Sequence, residues 1–249
     1  MSENKEIICV RSLRREFIVG GEKVKALRGV SFTIHEGEFV TIMGTSGSGK
    51  STLLNILGCL DTPTSGEYLL DGVSVQSMSK NQRAVTRNRK IGFVFQNYNL
   101  LPKTTAIENV ELPLLYNPSV SARERREMAI QALQAVGLGS RLNHKSNQMS
   151  GGQQQRVAIA RALVNNPVII LADEATGNLD TRTSFSILTL FQELHAKGRT
   201  IIFVTHNPEL AGYSSRNIVL RDGKVVSDTL NPSPASAREA YDLLPKEND

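Results

Sequence analysis

The stretch from Phe39 to Leu57 constrains the fold of this chain more than any other. Residues 39–43 form an apolar run rich in β-forming residues and predict a buried strand, and residues 53–57 predict a helix. Between them, GTSGSGKST matches the phosphate-loop pattern G-x-x-x-x-G-K-[ST], which requires that strand and that helix. Its glycines let backbone N–H groups point into one concavity beside the positive end of a helix. The stretch therefore predicts a polyphosphate site, and the flanking elements argue against a simple Gly-rich turn with a solvated lysine.

The polar residues of this phosphate loop (residues 44–52) have predicted roles. Lys50 places a positive charge on the β- and γ-phosphates, and Ser51 offers a hydroxyl ligand to Mg²⁺. The other predicted nucleotide-binding residues of the loop are Gly44, Ser46, Gly47, Ser48, Gly49 and Thr52.

A second predicted site segment follows another buried strand. Residues 168–172 are a continuous apolar run that delivers Asp173 and Glu174 at its C-terminal end, where open α/β sheets bind their ligands. Adjacent carboxylates are costly unless a cation compensates them, so one carboxylate is predicted to hold Mg²⁺ while the other orients water. A further strand over residues 200–204 leads to His206.

Composition narrows the class of protein. The 249 residues, 40% of them hydrophobic and 21% charged, are typical of a globular chain with a sizeable core. The net charge of +5 comes from scattered basic residues, which favours a solvated surface over a nucleic-acid stripe. Cys9 and Cys59 are isolated, which indicates a reducing compartment and no zinc site. Residues 1–6 lack a signal-peptide core and no apolar run approaches the roughly 18 residues of a membrane span, so we expect the chain to be soluble by itself.

Strands and helices alternate along most of the chain, which predicts a single α/β domain with a mostly parallel, doubly wound core and an antiparallel N-terminal layer. Within residues 1–249, the core comprises residues 1–96 and 155–230, residues 97–154 form a helical insertion, and residues 231–249 form a polar, peripheral tail. The remaining predicted elements are strands over 7–17, 24–34, 67–70, 73–75, 91–95 and 216–220, helices over 80–88, 105–116, 121–136 and 183–196, and a turn at 63–66.

Three features admit two interpretations from the residues alone. Phe17 is either a core aromatic or a ring that stacks on a purine, and Gln96 is either a plain loop residue at a strand end or a site residue. The segment Ser150-Gly151-Gly152-Gln153 is either an ordinary helix N-terminus or a second anion site, because its unpaired amides face outward.

Taken together, these motifs resemble the ATP-binding cassette of ABC transporters. The phosphate loop, Gln96, residues 149–153, residues 173–174, residues 177–180 and His206 occur in the order and at the spacing of that family, over roughly residues 7–228. Residues 43–62, 91–115 and 150–162 resemble more narrowly the lipoprotein-release and macrolide-export ATPases, a branch that also contains a cell-division ATPase. Two departures are Met149 in place of the usual Leu and Ala175 in place of the common Pro.

The resemblance implies an α/β fold with a P-loop NTPase core and an inserted α-helical subdomain, and it implies a role for each motif residue. Phe17 resembles the adenine-stacking aromatic, and Ser150, Gly151, Gly152 and Gln153 resemble the signature that serves the ATP of the other subunit. The implied catalytic and interface residues are Gln96, which senses Mg²⁺ and water, Asp173 in the Mg²⁺ shell, Glu174 as catalytic base, Asp180 at the dimer interface and His206 on the γ-phosphate.

The function implied by the resemblance is a transport ATPase subunit at the cytoplasmic face of the membrane. Two copies would close over ATP and Mg²⁺ and pull on a separate transmembrane permease, in an export or lipoprotein- or macrolide-release system. One alternative is a mechanical signalling ATPase that drives a membrane protein without moving a solute. A soluble cassette acting on DNA or ribosomes is disfavoured, because such relatives carry long coiled coils or two cassettes in one chain, so no nucleic-acid partner is expected.

Overall fold

The computed structural model describes residues 5–245, so Met1–Asn4 of the segment searched for a signal peptide and residues 246–249 of the predicted tail lie outside the described residues. Strands and helices alternate from the phosphate loop onward, as the sequence predicts. The strands are β1 Glu6–Val19, β2 Glu22–His35, β3 Phe39–Met43, β4 Ser65–Leu70, β5 Val73–Ser74, β6 Ile91–Phe95, β7 Ile169–Asp173, β8 Ile201–Thr205, β9 Arg216–Arg221 and β10 Lys224–Leu230. The α-helices are α1 Lys50–Leu57, α2 Lys80–Lys90, α3 Ala106–Glu111, α4 Ala122–Ala135, α5 Gly151–Leu163, α6 Thr181–Ala196 and α7 Ala237–Leu243.

The central sheet has six strands in the order β10-β9-β3-β8-β7-β6. All pairs are parallel except the β9–β10 hairpin, which confirms the predicted mostly parallel core. In register, Met43 of β3 lies beside Thr205 of β8, and Asp173 of β7 lies between Val204 and Phe95. The loops that follow these strands therefore emerge at one edge of the sheet.

This sheet is buried on both faces. Along β8, Ile201 and Phe203 belong to one core cluster, and Ile202 and Val204 belong to the other. Because successive side chains of a strand point to opposite faces, such strands are apolar without alternation. One face packs against helices α3 to α6, and the other packs against α1 and the second sheet.

The second sheet is the predicted antiparallel layer, with the strand order β2-β1-β4-β5. Its long β1–β2 hairpin turns at Gly20 and Gly21, as predicted. The turn predicted over residues 63–66 is shorter than expected, because Ser65 already pairs with Arg14 of β1 and begins β4.

Residues 97–154 contain α3, α4, two short 3₁₀ segments and the start of α5. The capping box predicted at Ser121 is present, with the Ser121 hydroxyl accepting from the backbone N–H of Glu124. The single helix predicted over residues 105–116 is wrong in its second half, where α3 ends at Glu111 and a 3₁₀ segment begins. Pro113 is the physical reason, since it has no N–H to continue the α-helical hydrogen bonds.

The described part of the predicted tail packs against the core at one point. It forms α7, whose first residue, Ala237, is fully buried against the core that includes α6. Gln192 of α6 donates to the backbone carbonyl of Ala235 and accepts from the N–H of Ala237. No helix within residues 5–245 is long and apolar enough to cross a membrane.

Candidate nucleotide site

A cavity of about 880 Å³ lies over the phosphate loop at the C-terminal edge of the central sheet. The loop, the ends of β7 and β8, strand β2 and the turn before β10 contribute to its walls. Nine of the predicted site residues line it: Ser46, Gly47, Gly49, Lys50, Ser51, Thr52, Asp173, Glu174 and His206.

The phosphate loop ends at the N-terminus of α1 without a side-chain cap. Gly49 is the N-cap residue, and its φ of 102° lies in the left-handed region that favours glycine. The first amides of α1 are therefore not satisfied by a capping side chain, which suits them to an anion. Ser48 and Gly44 lie behind this surface: the Ser48 hydroxyl is buried and has no hydrogen-bond partner among the described residues.

Lys50 lies folded over its own loop. Its Nζ donates to the backbone carbonyls of Gly44 at 2.7 Å and Thr45 at 2.9 Å. Burial lowers the pKa of Lys50, and the charges of Glu174 and Asp173 partly oppose that shift. The ammonium is thus held near the two carboxylates and satisfied by carbonyls that a phosphate can replace.

Asp173 and Glu174 face this lysine from the end of β7. Burial raises the pKa of Asp173, the neighbouring charge of Glu174 raises it further, and Lys50 lowers it. The backbone of Glu174 is left-handed, with φ of 45°, and its N–H donates to Val204. The carboxylate Oε1 of Glu174 lies 2.7 Å from Nδ1 of His206. Since an ionised carboxylate only accepts, Nδ1 is the donor in this pair.

Two glycines allow three walls of the cavity to pack closely around one backbone carbonyl. A methyl group on Gly49 would lie 2.6 Å from the carbonyl oxygen of Ala26, and one on Gly223 would lie at the same distance from that oxygen. Gly223 also donates its N–H to the carbonyl of Ser48. Strand β2, the phosphate loop and the β9–β10 turn can approach this closely only because neither glycine carries a side chain.

Besides Gly44 and Ser48, two further residues predicted for this site, Phe17 and Gln96, do not line the cavity. Phe17 is half-buried in β1, pairs with Val24 of β2 and lies under the guanidinium of Arg15 at 4.6 Å, while Val24 itself reaches the cavity wall. Gln96 follows β6, and its Nε2 donates to Oδ1 of Asn178 at 3.0 Å.

The residues predicted to serve a second nucleotide lie elsewhere. Ser150 is the N-cap of α5, its hydroxyl accepts from the N–H of Gln153, and Oε1 of Gln153 accepts from the N–H of Ser150. Gly151 and Gly152 form the first turn of α5. Asp180 caps α6 by accepting from the N–H of Thr183, and hydrogen bonds from the side chain and the backbone of Thr183 lower the pKa of Asp180. None of these residues is part of the cavity over the loop.

The structure also adds cavity residues that sequence reasoning missed. Lys25, Ala26 and Arg28 reach it from β2, and Asp222 reaches it from the turn before β10. No motif marks these residues, because their position depends on how the antiparallel layer packs over the loop.

The donor set of the cavity suits a magnesium ion. Mg²⁺ prefers oxygen ligands, often one or two carboxylates plus substrate phosphates. The Ser51 hydroxyl and the Asp173 carboxylate are such oxygens, and both line the cavity.

Comparison with known proteins supports the same family. Residues 27–177 match the ABC transporter family. The chain is similar to an uncharacterised ABC transporter ATP-binding protein of Thermotoga maritima, 56% identical over 89% of this chain and 94% of that protein. It is also similar to the macrolide export ATP-binding/permease protein MacB of Hyphomonas neptunium, 51% identical over 94% of this chain. The chain spans only 36% of the length of that MacB protein.

The fold agrees with solved structures. The ATP-binding cassette MJ0796, determined as a dimer in a post-hydrolysis state bound to ADP and Pi, superposes with a TM-score of 0.81 and is 47% identical over 90% of this chain and 98% of that chain. A structure of cbiO1 from Clostridium perfringens, part of an ABC transporter complex, gives the same TM-score at 28% identity, over 97% of this chain and 92% of that chain. With its phosphate loop, its paired carboxylates and these similarities, the chain belongs to the ABC transporter family, as an ATP-binding and ATP-hydrolysing cassette.

Proposed function

We propose that this protein hydrolyses ATP between two copies of itself and transmits the resulting motion to a separate membrane permease. The observation that carries the proposal is the convergence of Lys50, Asp173, Glu174 and His206 on one cavity over the phosphate loop. These residues come from three different segments of the chain, and each has the chemistry that phosphoryl transfer to water requires.

Each cavity residue then has a defined part. Lys50 leaves the loop carbonyls and contacts the terminal phosphates, and Glu174 accepts a proton from the attacking water while His206 fixes its carboxylate at 2.7 Å. Ser51, Asp173 and Gln96 would hold Mg²⁺ through their oxygens, and the ion would supply positive charge beside the phosphates. The remaining loop residues, Gly44 to Gly49 and Thr52, bind phosphate through amides and hydroxyls.

The base of the nucleotide is assigned to the β1–β2 hairpin. Phe17 would stack on the adenine ring, next to Val24, Lys25 and Arg28, which already line the cavity. The guanidinium of Arg15 lies over one face of the Phe17 ring, so the base would stack on the other face or replace that contact.

The second copy supplies the other half of the site. Ser150, Gly151, Gly152 and Gln153 contact the ATP held by the partner's phosphate loop, and Asp180 lies at the interface. Two facts support this arrangement: the N-terminus of α5 does not line its own chain's cavity, and the similar cassette MJ0796 is a dimer bound to ADP and Pi.

The permease is assigned to a groove on another face. A largely apolar groove of about 820 Å³ runs between α2, β6 and the segment before α4, with Phe93, Phe95, Leu112 and Tyr116 in its wall. Tyr116 is 79% exposed, and Phe95 directly precedes Gln96. We assign this groove to a cytoplasmic segment of the permease, since the MacB relatives carry a permease in the same chain. The protein would then lie at the cytoplasmic face of the membrane, in an export or release system.

The test uses Glu174→Gln and Lys50→Ala in the purified protein. Removing the base should lower ATP turnover by about 10²- to 10⁴-fold while ATP still binds, and removing the ammonium should weaken binding itself. Turnover is measured as phosphate release with Mg²⁺, and binding is measured with a fluorescent ATP analogue. Parental turnover in Glu174→Gln would contradict the assignment of the base, and absence of Mg²⁺-dependent turnover in the unmodified protein would contradict the function.

A further inference from the structure

The side chain of Asn178 forms hydrogen bonds with both the side-chain amide and the backbone carbonyl of Gln96. Its Oδ1 accepts from Nε2 of Gln96 at 3.0 Å, and its Nδ2 donates to the backbone carbonyl of Gln96 at 3.3 Å. The same Nδ2 donates to Oδ1 of Asn97 at 2.7 Å. One exposed amide thus fixes two consecutive residues at the point where β6 leads into the helical segment 97–154.

These bonds set the direction of both amides. A backbone carbonyl can only accept, so the Asn178 nitrogen must face the carbonyl of Gln96 and its oxygen must face the Gln96 side chain. The Gln96 side chain must then present its nitrogen to Asn178, and its oxygen is the free end. No described residue donates a hydrogen bond to that oxygen.

The packing leaves little room for another arrangement. A methyl group on Gly177 would lie 2.7 Å from Nε2 of Gln96, so a side chain at residue 177 would push the Gln96 amide from its present place. On the other side, Arg161 donates to the carbonyls of Tyr98 and Asn99 at 2.8 and 2.6 Å. The start of the helical segment is therefore held by Arg161 and by Asn178.

We propose that Asn178 is a positioning residue for ATP hydrolysis, which orients the Gln96 amide so that its oxygen is the atom available to the metal and water. The proposal rests on the proposed function, in which Gln96 supplies that oxygen. Asn178 also lies between Glu174 and Asp180 in sequence, so it joins the loop at the dimer interface to the entry of the helical segment.

The experiment compares Asn178→Ala, Gln96→Ala and the double variant in the full chain. Asn178→Ala should lower kcat by about 3- to 10-fold, the range that one lost hydrogen bond supports, with KM for ATP nearly unchanged. The Mg²⁺ concentration for half-maximal turnover should rise. The double variant should be no slower than Gln96→Ala, because a residue that acts only through Gln96 has no effect without it.

A second readout does not depend on turnover. The side-chain amide resonance of Gln96, identified by its loss in Gln96→Ala, should shift in ATP-free Asn178→Ala. Asn81→Ala is the matched control, since Asn81 is exposed on α2 and has no side-chain hydrogen bond within residues 5–245.

The outcomes separate the two proposals. An unshifted Gln96 resonance, or losses in kcat that multiply in the double variant, would overturn the role of Asn178. If Gln96→Ala itself leaves kcat and Mg²⁺ dependence unchanged, the role of Gln96 in the proposed function is contradicted, and the role of Asn178 with it.

Discussion

The proposed catalytic base, Glu174, has a strained backbone at the edge of the central sheet. Glu174 has a left-handed backbone, which costs a non-glycine residue on the order of 1 kcal/mol or more. Its N–H donates to Val204 and its carbonyl accepts from Gly177, so the neighbouring strand and its own loop hold that conformation. The consequence is a carboxylate held toward His206 by the backbone of its own loop.

Asp71 offers a test of stability at the same scale. It lies in the β4–β5 turn with φ of 49° and contacts Nζ of both Lys5 and Lys90 at 2.5 Å. Burial raises the pKa of Asp71, but hydrogen bonds and charge from the two lysines outweigh burial and hold the pKa below its usual value. Asp71→Asn keeps a residue that tolerates this backbone and removes the charge.

We expect Asp71→Asn to lower the free energy of unfolding by about 1 kcal/mol at neutral pH. Because the folded pKa is depressed, the contribution of the carboxylate is present above about pH 4 and is lost only as the pH falls through the folded pKa. Urea unfolding of the parent and of Asp71→Asn between pH ~4 and ~8 measures the difference in their free energies of unfolding. Asp242→Asn, which breaks an exposed pair with Arg238, is the control and should change little. If the difference in free energy of unfolding grew as the pH was lowered, the depressed pKa of Asp71 would be contradicted.

Among the elements, α7 is held by two side chains of α6, Gln192 and Arg182. Nε2 of Gln192 donates to the carbonyls of Tyr213 and Ala235, and Oε1 accepts from the N–H of Ala237. Arg182 lies over the ring of Tyr241 at 4.4 Å and donates to the carbonyl of Pro245.

Gln192→Ala should therefore weaken the attachment of α7, because the backbone carbonyl of Ala235 and the N–H of Ala237 lose their partner at about 1 kcal/mol or more each. Limited proteolysis should then cut the chain after residue 230 several-fold faster than in the parent. Gln131→Ala is the matched control, since Gln131 is exposed on α4 and has no side-chain hydrogen bond among the described residues. Equal cleavage rates for all three proteins would rule out this attachment.

The elements differ in how well the sequence predicts them. Strand β3 and strand β6 match their predicted bounds, because each is a short apolar run bounded by polar or glycine residues. Helix α7 was missed because its composition is polar and its position depends on Gln192, which is distant in sequence. The same holds for Lys25, Arg28 and Asp222, which reach the cavity through tertiary packing that no local pattern encodes.

At the scale of the whole molecule, the placement of α5 makes a prediction about assembly. In Glu174→Gln, ATP with Mg²⁺ should convert the 27.3 kDa chain into a dimer of twice that mass, because bound ATP is not cleaved. Size-exclusion chromatography with light scattering measures the mass, and Lys50→Ala should remain a monomer.

Adding Ser150→Asp to Glu174→Gln tests the role of α5 across the interface. Aspartate preserves the N-cap, so α5 should remain folded, but its charge repels a phosphate bound by the other copy. We expect this double variant to bind ATP and to stay monomeric. Dimers that form as readily as in Glu174→Gln would show that Ser150 faces no phosphate.

The crowding around the Ala26 carbonyl limits how the molecule can move. Strand β2, the loop over α1 and the β9–β10 turn meet there without space for even one methyl group, and the Gly223 N–H donates to the carbonyl of Ser48, so these three segments are packed and hydrogen-bonded to one another. We expect the wall beside Val24 and the floor that contains Lys50 to move together. We therefore expect a conformational change driven by the nucleotide to occur on the opposite side of the chain, where residues 97–154 join the sheet through Gln96.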